Sequence, residues 1–132
     1  MIRVAIIDDH VIVRTGLKYL IEADPELEFA GEFGGGVGAA EFVAGVRPDV
    51  TLLDVRMPDK GGIDVLREII TADPHARVVM LTTSDVEEDV FRAIEEGALG
   101  YVMKESPVEV IGAFSLSITM CFAMLLANPS SP

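Results

Sequence analysis

The chemistry in this sequence sits where apolar runs end. Val50-Thr51-Leu52-Leu53 leads without a charge into Asp54, and Pro58 stops any continuation past Val55-Arg56-Met57. Val4-Ala5-Ile6-Ile7 runs in the same way into Asp8-Asp9. Both read as buried strands with acids at the carboxyl end, which suggests one shared acidic pocket. Carboxylates gathered in this way either keep a proton or bind a cation. Two further apolar runs end on other groups. Val78-Val79-Met80-Leu81 reaches the hydroxyl of Thr82, and Leu99 to Met103 reaches the ammonium of Lys104.

Those residues need elements to position them. Between the first strand and the next, Val13, Leu17, Leu20 and Ile21 recur at helical spacing over Val11 to Ile21, and Asp24-Pro25 stops the pattern. Leu27 to Phe33 reads as a short strand. Gly34-Gly35-Gly36-Val37-Gly38 is a loop or a poorly started helix, and Ala39 to Val46 is a short helix candidate. After Pro58, Asp59-Lys60-Gly61-Gly62 reads as a loop. Ile63, Leu66, Ile69 and Ile70 then make an amphipathic helix that stops at Asp73-Pro74. Ser84-Asp85-Val86-Glu87 is a capping box that opens a helix to Glu96, closed by Gly97. Ser106-Pro107-Val108-Glu109 is a second capping box. Strand and helix therefore alternate, which predicts an α/β fold with a parallel sheet covered by helices on both faces. Such sheets bind ligands beyond the carboxyl ends of their strands, where Asp8, Asp9, Asp54, Thr82 and Lys104 all fall.

The totals narrow the function classes. The chain has 132 residues, half of them hydrophobic and 6% aromatic, with no Trp. That suits one domain with an aliphatic core. A formal net charge of -12 makes direct nucleic-acid binding by this chain a poor prospect, because phosphate affinity comes from Lys and Arg. The single Cys, Cys121, excludes an internal disulfide and fits a reducing, cytoplasmic setting. The chain begins directly on a strand-like run, so no signal peptide is expected.

The ordered set Ile7-Asp8-Asp9-His10, Leu53-Asp54-Val55-Arg56-Met57-Pro58 with Gly62, Leu81-Thr82-Thr83, and Gly100-Tyr101-Val102-Met103-Lys104 resembles the receiver domain of bacterial two-component response regulators. Arg47-Pro48-Asp49 and Leu81-Thr82-Thr83-Ser84-Asp85 look most like the LuxR/NarL-type subgroup, whose members carry a helix-turn-helix domain after the receiver. The resemblance covers residues 1–111. It implies a doubly wound five-stranded parallel sheet of flavodoxin-like order 2-1-3-4-5. Strands one and three are then neighbours about 4.8 Å apart, and Asp9 and Asp54 share a crevice with Asp8 beside them. Like charges about 4 Å apart repel by roughly 4 kcal/mol at an effective dielectric near 20.

By the same resemblance, Mg²⁺ relieves that repulsion. Asp9, Asp54 and the backbone carbonyl of Arg56 would ligate it directly, with Asp8 acting through water. An all-oxygen set that leaves room for water suits this ion. Asp54 would be the nucleophile that accepts a phosphoryl group from a sensor histidine kinase. Lys104 would pair with one phosphoryl oxygen and Thr82 would donate its hydroxyl to another. Phosphorylation changes the local charge by only about one unit or less, so the output must be geometric. Thr82 would move toward the phosphoryl group and Tyr101 would swing inward, altering protein contacts that normally regulate transcription. Such a chain catalyses only its own phosphorylation and dephosphorylation and is no enzyme with a separate substrate. The alternative is a constitutive interaction module whose assembly ignores phosphorylation. An acid-pocket phosphatase would want a second acid two residues after the nucleophile, where Arg56 stands.

Each residue alone has an ordinary reading as a turn former, a strand residue or a solvated charge; the ordered set carries the resemblance. His10 reads as a helix-start residue without a partner rather than a ligand. The glycine run lacks the Lys-Ser/Thr ending of a phosphate-binding loop. Relatives usually carry a more polar segment there, so weakening of the second helix is expected, away from the carboxylates. The far end departs further. No charged residue follows Glu109, and Val110 to Ala127 is mostly apolar. Residues 112–132 read as an atypical segment, with no basic recognition helix and no room for a DNA-binding domain. A helix used in self-association, giving a homodimer, is preferred to membrane insertion.

Overall fold

A computed structural model describes residues 1–82, 92–93, 95–98 and 100–103. Its strands are β1 (Ile2–Ile7), β2 (Leu27–Phe33), β3 (Val50–Asp54), β4 (Val78–Thr82) and β5 (Gly100–Met103). Its helices are α1 (Val11–Ala23), α2 (Ala39–Val46) and α3 (Gly62–Ala72). All strand pairs are parallel, in the order β2-β1-β3-β4-β5. The expected parallel α/β sheet with helices on both sides is therefore present.

Period two along the central strands sorts their side chains between the faces. Val4 and Ile6 of β1 join Val50 and Leu52 of β3 and Val79 and Leu81 of β4, and they pack under Val13, Leu17 and Ile21 of α1. The alternate residues Ile7, Leu53, Val78 and Met80 pack under Val43 of α2 and Val65, Leu66 and Ile69 of α3. Every residue of β3 is buried, which is why this strand reads as an uncharged run up to Asp54 rather than an alternating one. Asp54 continues the parity of Val50 and Leu52, and Asp8 that of Val4 and Ile6. Both acids thus fall on the α1 side of the sheet.

The start of α3 differs from expectation. Gly62 is the first residue of α3, not the last of a loop. A Cβ on Gly62 would collide with the carbonyl oxygen of Asp54 and lie 2.8 Å from its carbonyl carbon. Only glycine lets α3 start this close to the end of β3. The glycine run after β2 is a loop, and α2 forms immediately after it. Gly38 caps α2 at φ 85°, a left-handed conformation that glycine adopts without cost.

The capping-box helix over 84–96 falls largely outside the described residues, although Arg92, Ala93 and Glu95 are helical. The helix from Ser106, the boundary at 111 and the apolar segment 112–132 lie outside them altogether. Among the described residues, no helix is long and apolar enough to cross a membrane.

Candidate acidic metal centre

Register brings the acids together. Ile7 of β1 pairs with Leu53 of β3, so the residues that follow, Asp8 and Asp54, leave the sheet side by side. Asp8 and Asp54 are buried, at 0% and 2% exposure. Asp9 is half-buried on the rim. One ligand atom from each of Asp8, Asp9, His10 and Asp54 lies within 4.8 Å of the others. The three expected carboxylates therefore converge.

His10 corrects the reading from sequence. It does start α1, as the N-cap residue. It is not without partners, however. Its Nδ1 lies 2.9 Å from Asp8 Oδ1, 3.1 Å from Asp9 Oδ1 and 3.8 Å from Asp54 Oδ2. Its backbone N–H also donates to Asp8 Oδ1 at 2.8 Å. The signal was its place immediately after two acids, where the turn into α1 folds the ring back over them.

The loops around the acids are fixed from several sides. Arg14 of α1 donates from Nη1 to the carbonyl oxygen of Asp8 at 2.6 Å, and its Nε lies 3.2 Å from Glu32 Oε1 at the end of β2. After β3, the backbone N–H of Val55 donates to Leu81 O at 2.9 Å, and that of Gly62 to Val55 O at 2.8 Å. The Arg56 N–H donates to Asp54 Oδ1 at 3.3 Å.

The glycine run reaches the loop that follows β3. The N–H of Gly36 donates to both carboxylate oxygens of Asp59 at 3.0 Å, and that of Val37 to Oδ2 at 2.9 Å. Asp59 belongs to the loop that carries the chain from Asp54 to Gly62. These donors, Val37 first and then Gly36, hold the Asp59 carboxyl below its ordinary range.

As a donor set, the three carboxylates form a hard, oxygen-rich site that fits a divalent cation such as Mg²⁺ and leaves positions for water. Thr82 ends β4, and its main chain pairs with Met103 of β5. Tyr101 pairs through its main chain with Met80. The side chains of Thr82 and Tyr101, and all of Lys104, lie outside the described residues.

Residues 4–113 match the family described as response regulator receiver domain. The chain is 42% identical over 113 residues to the uncharacterized transcriptional regulatory protein YxjL of Bacillus subtilis, covering 85% of this chain and 52% of that protein. It is 44% identical over 105 residues to the DNA-binding transcriptional activator DevR/DosR of Mycobacterium tuberculosis, covering 80% and 48%. It thus spans about half the length of these relatives. A crystal structure of a LuxR-family two-component response regulator from Aurantimonas superposes with a TM-score of 0.75 at 32% identity, covering 90% of this chain and 86% of that one.

Proposed function

We propose that this chain, which belongs to the response regulator receiver domain family and resembles its LuxR/NarL-type members, is a phosphorylation-controlled switch that accepts a phosphoryl group on Asp54. The observation that carries the reading is the convergence of Asp8, Asp9 and Asp54 at the adjoining carboxyl ends of β1 and β3. The complete domain would be the five-stranded 2-1-3-4-5 sheet with its remaining helices, over residues 1–111.

Asp9, Asp54 and the Arg56 carbonyl would hold Mg²⁺, with Asp8 acting through water. The bound ion would supply charge to offset the phosphoryl group during transfer. Asp54 is at once buried and at the mouth of the sheet. Its carboxylate oxygen can attack phosphorus in line while the surrounding walls exclude bulk water. The donor would be a sensor histidine kinase, whose phosphohistidine loses the group as Asp54 gains it. Lys104 would pair with a phosphoryl oxygen and Thr82 would donate its hydroxyl to another. Movement of Thr82 toward the phosphoryl group, with Tyr101 turning inward, would change the contacts made by the far edge of the sheet. In a cytoplasmic regulator that change would act on transcription through protein contact, here including a homodimer in which residues 112–132 take part. The DNA-binding activity named for DevR/DosR is not proposed for these 132 residues, whose net charge is -12.

The test is intact-mass measurement after incubation with a small phosphodonor and Mg²⁺. Wild type should gain one phosphoryl group and Asp54→Asn none. Equal gain on both, or no gain on wild type, would sink the reading.

A further inference from the structure

The glycine run lies between the two acid-bearing loops and touches the anchor of each. On one side, Gly34 abuts Arg14, and a Cβ there would lie 3.2 Å from Nη1, the nitrogen that holds the Asp8 carbonyl at 2.6 Å. On the other, a Cβ on Gly35 would lie 2.8 Å from Asp59 Oδ2. A Cβ on Gly36 would collide with the carbonyl oxygen of Lys60 and stand 2.7 Å from the Lys60 Cβ. Side chains at these positions would drive the loop outward and break the N–H donations from Gly36 and Val37 to Asp59. Asp59 in turn bonds the N–H of Lys60 at 2.9 Å, which stiffens the loop just past Arg56.

We propose that the Gly34–Gly38 run is a strap that fixes the β1–α1 turn and the β3–α3 loop relative to each other, with Arg14 and Asp59 as anchors, and so sets the affinity of the acid pocket for its cation. The proposal rests on reading that pocket as a divalent-cation site. Asp59 is a positioning residue here. It acts through the loop that carries the Arg56 carbonyl and not by touching the ion. Groups that orient metal ligands from outside typically change affinity by about 10- to 100-fold when removed. The run's lack of side chains is then a requirement of close approach between two backbones, not a defect of the second helix.

Isothermal titration of the 132-residue chain with Mg²⁺ tests this. Variants Gly36→Ala, Asp59→Ala, Asp59→Asn and Asp9→Asn are compared, and the thermal transition without metal is recorded for each. Gly36→Ala and Asp59→Ala should each weaken binding about tenfold. Asp59→Asn keeps an acceptor oxygen and should weaken it less. Folded Gly36→Ala and Asp59→Ala variants that bind like wild type would overturn the proposal. So would equal weakening in both Asp59 variants with Gly36→Ala unchanged, since loss of charge alone would then be the cause. If Gly36→Ala does not fold, the two Asp59 variants decide by the same ordering. Asp9→Asn separates the proposal from its premise: if it binds Mg²⁺ as wild type does, the cation site itself is wrong and the strap falls with it.

Discussion

Gly62 shows how one residue can connect chemistry to architecture. Its missing side chain lets α3 begin against the backbone of Asp54 and Val55, where a Cβ would stand 2.8 Å from the Asp54 carbonyl carbon and 2.9 Å from the Val55 Cα. Gly62→Ala therefore has no flexible neighbour to displace. We expect it to cost about 1–3 kcal/mol, as overpacking does, read from urea unfolding midpoints. Phosphorylation should slow as well, because the segment that must yield is the one bearing Asp54. A variant with wild-type midpoint and wild-type mass gain would show that the loop relaxes freely. The motif in sequence already placed Gly62 near Asp54, but not the collision that makes glycine necessary. His10 was legible only in part. Its position at the start of α1 follows from the order of residues, whereas its approach to three carboxylates depends on how the turn closes.

At the scale of elements, the strands could be read well because burial leaves a plain mark. β3 is uncharged until Asp54, and α1 carries Val13, Leu17 and Ile21 on one face. The glycine run could not, because its role depends on a loop more than twenty residues further on. A carboxylate there, Asp59, gathers N–H donors from Val37, Gly36 and Lys60 that sequence spacing does not reveal. These donors give its contribution a pH dependence of known sign. They hold the folded carboxyl below its ordinary value, so it stabilises the fold at pH above the unfolded value, about 3.9 for Asp. That contribution is lost as pH falls through the lower, folded value. Glu96 behaves in the same direction through Arg67 of α3, whose Nε and Nη2 donate to it at 3.0 and 3.2 Å. The stability difference between wild type and Asp59→Asn should therefore be constant above about pH 5 and shrink below about pH 4. Urea midpoints over that range measure it. A difference that persists unchanged into acid would mean that shape, not charge, holds the loop.

For the whole molecule, the acid pocket is a local excess within a general one. The chain carries 22 acidic against 10 basic residues, and three of the acids converge at a single strand-end crevice. The main-chain donors offset this charge only in part, so the fold without metal keeps acidic groups close together. A site of this kind gives up stability to hold a cation. Asp9 is the member whose removal tests this most cleanly, since it sits on the rim and its loss leaves the central strands packed. In the absence of divalent ions, Asp9→Asn should raise stability by about 1 kcal/mol, the scale common when a strained functional site is relieved. Adding Mg²⁺ should reverse the ranking. A ligand at 100 times its dissociation constant stabilises the fold that binds it by about 2.7 kcal/mol, and the variant would lose most of that gain. Thermal melts of both proteins with EDTA and with excess Mg²⁺ would show the crossing. Equal gains from Mg²⁺ in the two proteins would mean that Asp9 does not hold the ion, and a variant no more stable than wild type in EDTA would mean that it does not carry the repulsion.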